Sequence, residues 1–218
     1  MKADESAWMW WAASDEPDPR FLIEHCKPLT ALIDVQQDPV HHPEGCARVH
    51  SLWVVRAAAR IASREGMSPR DRLVFLLAAA LHDVGKKTTT EWNEKKQKWT
   101  AYGHDMAGTY PAGMWLVANA SWLSYEEHWL IVGLVQYHMV HVRPVSQATD
   151  KAAKKLLSQL DADEVRWKEL FWLMEADCSG RPPIPPGISE TARLFNQKVA
   201  ELRPGSEVNL SCWSPIVL

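Results

Sequence analysis

Six side chains carry the chemistry of this chain: His50, the tandem pair His82-Asp83, His104, His138 and Asp177. Imidazole nitrogens and carboxylate oxygens form a borderline-to-hard donor set. It suits Mn, Fe, Ni, Co or Zn, with Mg also compatible. The set exceeds what a single catalytic ion with an open position needs. One or two ions are therefore expected, with Asp83 suited to bridge a pair. Two ions several ångströms apart would clamp a phosphoryl group and acidify a water near neutral pH.

The elements that must position these groups read as helices. Each of the six falls at a predicted helix end or beside one. The apolar run Leu73–Leu81 follows Ser68-Pro69-Arg70-Asp71, a helix start with Ser as cap and Pro in the first turn. A helix apolar on nearly all sides belongs at the centre of the fold, and this one ends in His82-Asp83. A buried carboxylate without partners costs several kcal/mol, and a cation offsets that cost. Gly85 reads as its C-terminal stop.

Further helices are predicted over Arg20–Val35, Val49–Arg64, Asp105–Ala118, Ser124–His138 (opened by the capping box Ser124-Tyr125-Glu126-Glu127) and Ser189–Leu202. Asp150 and Asp163 are expected to cap helices reaching Leu160 and Asp177. The segment Asp38–Gly45, with two Pro and a Gly, must be a loop. Thr88–Trp92 and Trp99–Ala101 flank Asn93-Glu94-Lys95-Lys96 and read as one exposed hairpin. The expected fold is an all-α helical bundle with one small β-hairpin and tails at both ends.

Composition narrows the class. The chain has 218 residues, 46% hydrophobic and 23% charged, with 24 basic against 27 acidic residues and a net charge of -3. That balance excludes a bulk electrostatic DNA binder and leaves room for a local basic pocket. No apolar stretch approaches the roughly 20 residues of a membrane span, and the N-terminus lacks a secretory core. Four widely separated Cys (Cys26, Cys46, Cys178, Cys212) read as reduced thiols of a cytoplasmic protein. There are nine His and twelve Trp. The Trp excess, including Trp8, Trp10 and Trp11, is assigned to packing.

The order His50, His82-Asp83, Asp177 resembles the HD-domain metal-dependent phosphohydrolases, and the likeness covers about residues 39–181. The stretch Leu76–Lys86 is similar to the helix that gives that superfamily its name. Three shorter echoes are His42-Pro43-Glu44-Gly45, Tyr102-Gly103-His104-Asp105 with Gly108, and Glu175-Ala176-Asp177-Cys178-Ser179-Gly180-Arg181. They resemble the HD modules of bacterial CCA-adding tRNA nucleotidyltransferases and of end-healing polynucleotide kinases. No G-x-x-x-x-G-K-[ST] phosphate loop accompanies them. The resemblance divides the chain into an N-terminal extension and helix (1–38), a phosphohydrolase core (39–187) and a C-terminal helix and tail (188–218), packed as one domain.

The resemblance implies a first-metal set of His50, His82, Asp83 and Asp177, and a second set from His104 and His138. Lys86 matches a residue that contacts substrate phosphate. Asp83, Lys86 and His104 are the expected catalytic residues, and Lys86, Arg181 and Arg143 the expected substrate-binding cations. Ser51 stands where Thr is usual, and Asp105 where Glu is usual. The implied activity is that of a 2′,3′-cyclic phosphodiesterase or phosphomonoesterase on RNA ends or nucleotides. Two alternatives stay open: a nucleotidase or deoxynucleoside triphosphate hydrolase, and a non-catalytic nucleotide-binding or interaction domain. The alarmone-hydrolase pattern is missing, since Lys86-Lys87-Thr88 follows His82-Asp83-Val84-Gly85.

Among the neighbours, His41, His42 and His141 are expected to line the site, and Glu44 to cap its loop, with contact to a metal-bound water as the alternative. His25, His128 and Cys178 are expected only to pack. Lys95-Lys96-Gln97-Lys98 reads as a solvated hairpin; reaching for RNA phosphates, with Trp92 or Trp99 as a stacking face, is the alternative.

Overall fold

The computed structural model describes residues 3–181 and 189–210. Its helices are α1 Glu5–Ala12, α2 Pro19–His25, α3 Lys27–Thr30, α4 Ala47–Arg64, α5 Pro69–Leu81, α6 Lys86–Thr89, α7 His104–Asn119, α8 Tyr125–Tyr137, α9 Asp150–Ala162, α10 Trp167–Ser179 and α11 Glu190–Leu202. A two-stranded antiparallel hairpin, β1 Glu91–Asn93 and β2 Lys98–Thr100, sets Trp92 opposite Trp99. The fold is all-α with one small hairpin, as its sequence predicts.

α5 is the central element. The Ser68 hydroxyl accepts from the Asp71 amide, Pro69 occupies the first turn, and every residue from Arg72 to Leu81 is buried. α4 packs on α5 and α10, and α8 packs on α5 and α7. One large apolar cluster runs from Trp8 to Val208; Leu32, Val35 and Ala47 form a small second one where the 38–45 loop enters and leaves. Between α4 and α10, Arg64 donates to both oxygens of the buried Glu175 at 2.6 and 2.8 Å. A bidentate pair of this kind fixes orientation as well as attraction. It sets the register of α10 two residues before Asp177.

Several expectations need correction. The predicted Arg20–Val35 helix breaks at Cys26 (φ −109, ψ 82) into α2, α3 and a 3₁₀ turn over Ala31–Asp34. Pro28 has no N–H to continue the α2 ladder. Thr149, not Asp150, caps α9, its hydroxyl accepting from the Ala152 amide; Asp150 instead pairs with Lys198 on α11. Asp163 does not open α10. Its carboxylate accepts from the Tyr137 hydroxyl at 2.5 Å, and α10 begins only at Trp167.

The N-terminus is no tail. α1, capped by Asp4, buries Trp8 and Trp11. Trp8 meets Trp115 edge-on at 5.7 Å and Trp11 stacks on Phe21 at 5.8 Å. Trp10 stays 77% exposed. The Pro-rich stretch 182–187, most of the C-terminal tail and Cys212 lie outside the described residues. No helix among the described residues is long and apolar enough to cross a membrane.

Gly85 is not a left-handed helix stop either. A Cβ on it would sit 2.0 Å from the His104 carbonyl oxygen and 2.5 Å from the Gly108 nitrogen. Only glycine permits that approach. The turn carrying His82-Asp83 is therefore pressed against the first turn of α7, which carries His104.

Candidate metal centre

Asp83 stands at the middle of the site, buried at the end of α5. Its Oδ2 lies 3.3 Å from His82 Nε2 and 3.7 Å from His50 Nε2. Its Oδ1 lies 3.1 Å from His104 Nε2 and 3.7 Å from His138 Nε2. Asp177, from the last turn of α10, brings Oδ1 to 3.0 Å from His50 Nε2. All six side chains singled out by type and spacing meet here, from five separate helices or their ends. Four of the six are fully buried or nearly so: His50, His82, Asp83 and His138 are each at most 1% exposed.

The tautomers follow from the partners. His82, His104 and His138 donate Nδ1–H to the carbonyls of Ala79, Ala101 and Val135, at 2.8, 2.7 and 2.6 Å. A carbonyl only accepts, so Nδ1 carries a proton, and in the neutral ring Nε2 keeps the lone pair. His104 Nε2 and His138 Nε2 then face each other at 3.1 Å, lone pair to lone pair. His82 Nε2 is buried without a hydrogen bond. Inward lone pairs around a central carboxylate fit a cation. The groups His50-His82-Asp83 and Asp83-His104-His138 each gather their donor atoms within 4.8 Å. The His/Asp cluster is able to hold a divalent metal ion.

Charge differs across the site. Burial raises the Asp83 pKa, but His82 and Lys86 outweigh it and hold the carboxyl well below its ordinary range. Burial acts likewise on Asp177, against Arg181, His141 and His50, with the same outcome. Burial disfavours a charged His50, yet Asp177 and Glu44 raise its pKa above the usual value. His141 follows the same balance and rises to about 10 through Asp177. His138 goes the other way, since burial and the neighbouring His104 and His82 drive its pKa well down.

A cleft of about 430 Å³ opens onto Asp83 and Asp177, lined among others by Gln37, His42, Lys86, Trp99 and Arg181. Lys86 Nζ sits 2.7 Å from Asp83 Oδ2 and donates to Gln37 Oε1 at 2.8 Å. Arg181 Nη2 donates to Asp177 Oδ1 at 2.8 Å. Arg143 is exposed and absent from the cleft lining, which removes the ground for its substrate-binding role.

His41 and His42 line the cleft; His141 does not, being buried behind Asp177 with Nε2 3.2 Å from Asp177 Oδ2. His25 packs on Trp8 and Phe21, and His128 meets the Ala120 carbonyl. Lys95 is solvated, Lys96 donates to the Tyr102 hydroxyl, and Lys98 pairs with Asp38 at the cleft wall.

Sequence reasoning missed Gln37, which also donates to the Gly45 carbonyl, and the use of Glu44. Glu44 faces two imidazoles. Its buried Oε1 lies 2.9 Å from His42 Nδ1 and 2.8 Å from His50 Nδ1. Burial opposes its ionisation, but His42 and His50 lower its pKa to about 2. The acid two residues after a site-lining His was the available signal.

The HD domain family model matches residues 48–162. That span holds His50, His82, Asp83, His104 and His138, and Asp177 follows it. The chain is 29% identical over 152 residues to a multifunctional CCA protein of Actinobacillus pleuropneumoniae serotype 5b (strain L20), covering 69% of this chain and 34% of that protein. It is 27% identical over 178 residues to the multifunctional CCA protein of Teredinibacter turnerae, covering 80% and 39%. With that of Halorhodospira halophila it shares 39% over 85 residues, covering 34% and 18%. The chain spans about a third of the length of the first of these relatives.

Proposed function

The chain belongs to the HD-domain family of metal-dependent phosphohydrolases, and from that membership we propose that it hydrolyses a 2′,3′-cyclic phosphate or a terminal phosphomonoester of RNA or a nucleotide. The observation that carries the reading is the Asp83 carboxylate, one oxygen facing His50 and His82 and the other facing His104 and His138. We take His50, His82, Asp83 and Asp177 as ligands of one ion, and Asp83, His104 and His138 as ligands of a second. Mn, Fe, Ni, Co or Zn suits these donors. When bound, such ions neutralise phosphoryl oxygens and lower the pKa of water.

The chain's own residues do the rest. Lys86 and Arg181 stand at the cleft floor, each beside a carboxylate of the site. A phosphate entering there finds both cations oriented, and Arg181 offers a fork matched to two phosphate oxygens. Gln36, Gln37, Asp38, His41 and His42 and the hairpin residues Lys98–Thr100 wall the cleft. The likeness to multifunctional CCA proteins supports a nucleotide or RNA-end substrate, and the core 39–187 is assigned to this reaction. We assign the protein to the cytoplasm.

The test is a hydrolysis panel on the metal-loaded protein: 2′,3′-cyclic NMP, 2′-, 3′- and 5′-NMP, and dNTPs, each with several divalent metals. Metal-dependent release of phosphate or of a ring-opened monoester is expected from the first group. Turnover of dNTPs alone overturns the substrate assignment in favour of a triphosphate hydrolase.

A further inference from the structure

We propose that Glu44 is a positioning residue for the metal centre: its carboxylate holds His50 from behind, at Nδ1, and so aims Nε2 at Asp177 and Asp83. The inference rests on the reading of His50 as a metal ligand.

His50 is the exception among the inward-facing imidazoles. His82, His104 and His138 each give Nδ1–H to the backbone carbonyl three residues earlier. His50 lies in the first turn of α4, where the nearby carbonyls are taken: Cys46 accepts from the His50 amide, and Ala47 accepts from the Ser51 hydroxyl. Glu44 Oε1 stands in that gap as an ion-pair partner, 2.8 Å from His50 Nδ1 but outside hydrogen-bond geometry, with its side chain 1% exposed. The loop is built to deliver it. Gly45 takes φ +107, a conformation costly for any residue with a Cβ. The Gly45 carbonyl is held by Gln37, and the Ala47 amide donates to the Val35 carbonyl at 3.0 Å. The same Oε1 accepts from His42, which lines the cleft, so one carboxylate sets two imidazoles.

A carbonyl behind an imidazole fixes its tautomer and ring plane. A carboxylate at ion-pair distance from Nδ1 adds negative charge behind the ring, which makes Nε2 a stronger donor. Loss of such a partner typically costs about 10–100-fold in metal affinity.

The experiment titrates the metal-free full chain with Mn²⁺, without substrate, by calorimetry or by the free-ion spin resonance signal. Thermal unfolding of the same metal-free samples is followed in parallel. Glu44→Ala is expected to bind Mn²⁺ about 10–100-fold more weakly than wild type. Glu44→Gln, which keeps the acceptor oxygen and loses the charge, is expected to fall in between with an unchanged midpoint. Wild-type affinity in both variants overturns the proposal. So does wild-type affinity in Glu44→Gln together with an unfolded Glu44→Ala, since Glu44 would then only stabilise the loop. The outcome separates from the function reading: Glu44-dependent Mn²⁺ binding with no turnover of any phosphoester sinks that reading alone. Turnover with affinity indifferent to Glu44 sinks only this one.

Discussion

The two oxygens of Asp83 look out on different surroundings. On the Oδ2 side stand His50, His82 and Asp177, with Glu44 behind His50 and His141 behind Asp177, and with Lys86 and Arg181 within ion-pair distance. On the Oδ1 side stand His104 and His138, held from behind by backbone carbonyls alone. The first half concentrates formal charge of both signs; the second is two imidazoles whose Nε2 atoms face each other at 3.1 Å. The pKa directions follow the division, His50 raised and His138 lowered. Carboxylates attract a cation far more strongly than neutral nitrogen in a buried site. On the two-ion reading proposed above, the first half is the tighter site and the second the weaker one, sharing the Asp83 carboxylate.

Breaking the shared group gives the largest effect. Asp83→Asn removes charge from both halves and is expected to lower turnover on the order of 10³-fold, with elemental analysis finding neither half occupied. Splitting the halves comes next. His50→Ala should abolish tight Mn²⁺ uptake, whereas His138→Ala should leave one equivalent bound and reduce only the second; equal losses from both would erase the distinction. Arg181→Lys keeps the charge and loses the fork, and is expected to raise KM about 10-fold, measured by initial rates, without altering metal content.

The smallest effect on the site is expected from Trp8→Ala. It should cost about 3–5 kcal/mol of stability, read by denaturant unfolding, and leave Mn²⁺ affinity unchanged. A changed affinity there would mean that the N-terminal packing reaches the centre.

Legibility in the sequence followed the range of the interaction. Ser68-Pro69-Asp71 and Ser124-Glu127 act within one turn, and both helix starts stand where those residues put them. Thr149 and Asp150 are both good caps, and adjacency alone does not choose between them. The break at Cys26 depends on Pro28, which the apolar spacing of Leu29 and Leu32 obscured. In the site, residue type and order singled out the six donors. What spacing could not show was the use of Gln37, Glu44 and His141. Those roles arise when the 36–45 loop, α6 and α10 meet, as with His50 and Asp177, 127 positions apart. Arg143, near the site along the chain, is exposed and does not line the cleft.

The most direct test is turnover of a 2′,3′-cyclic nucleotide by the metal-loaded chain and by its Asp83→Ala variant, with metal content measured on the same samples. Bound divalent metal and metal-dependent ring opening are expected in the first, and neither in the second. A chain without divalent metal, or equal hydrolysis by both proteins, would contradict the proposed function.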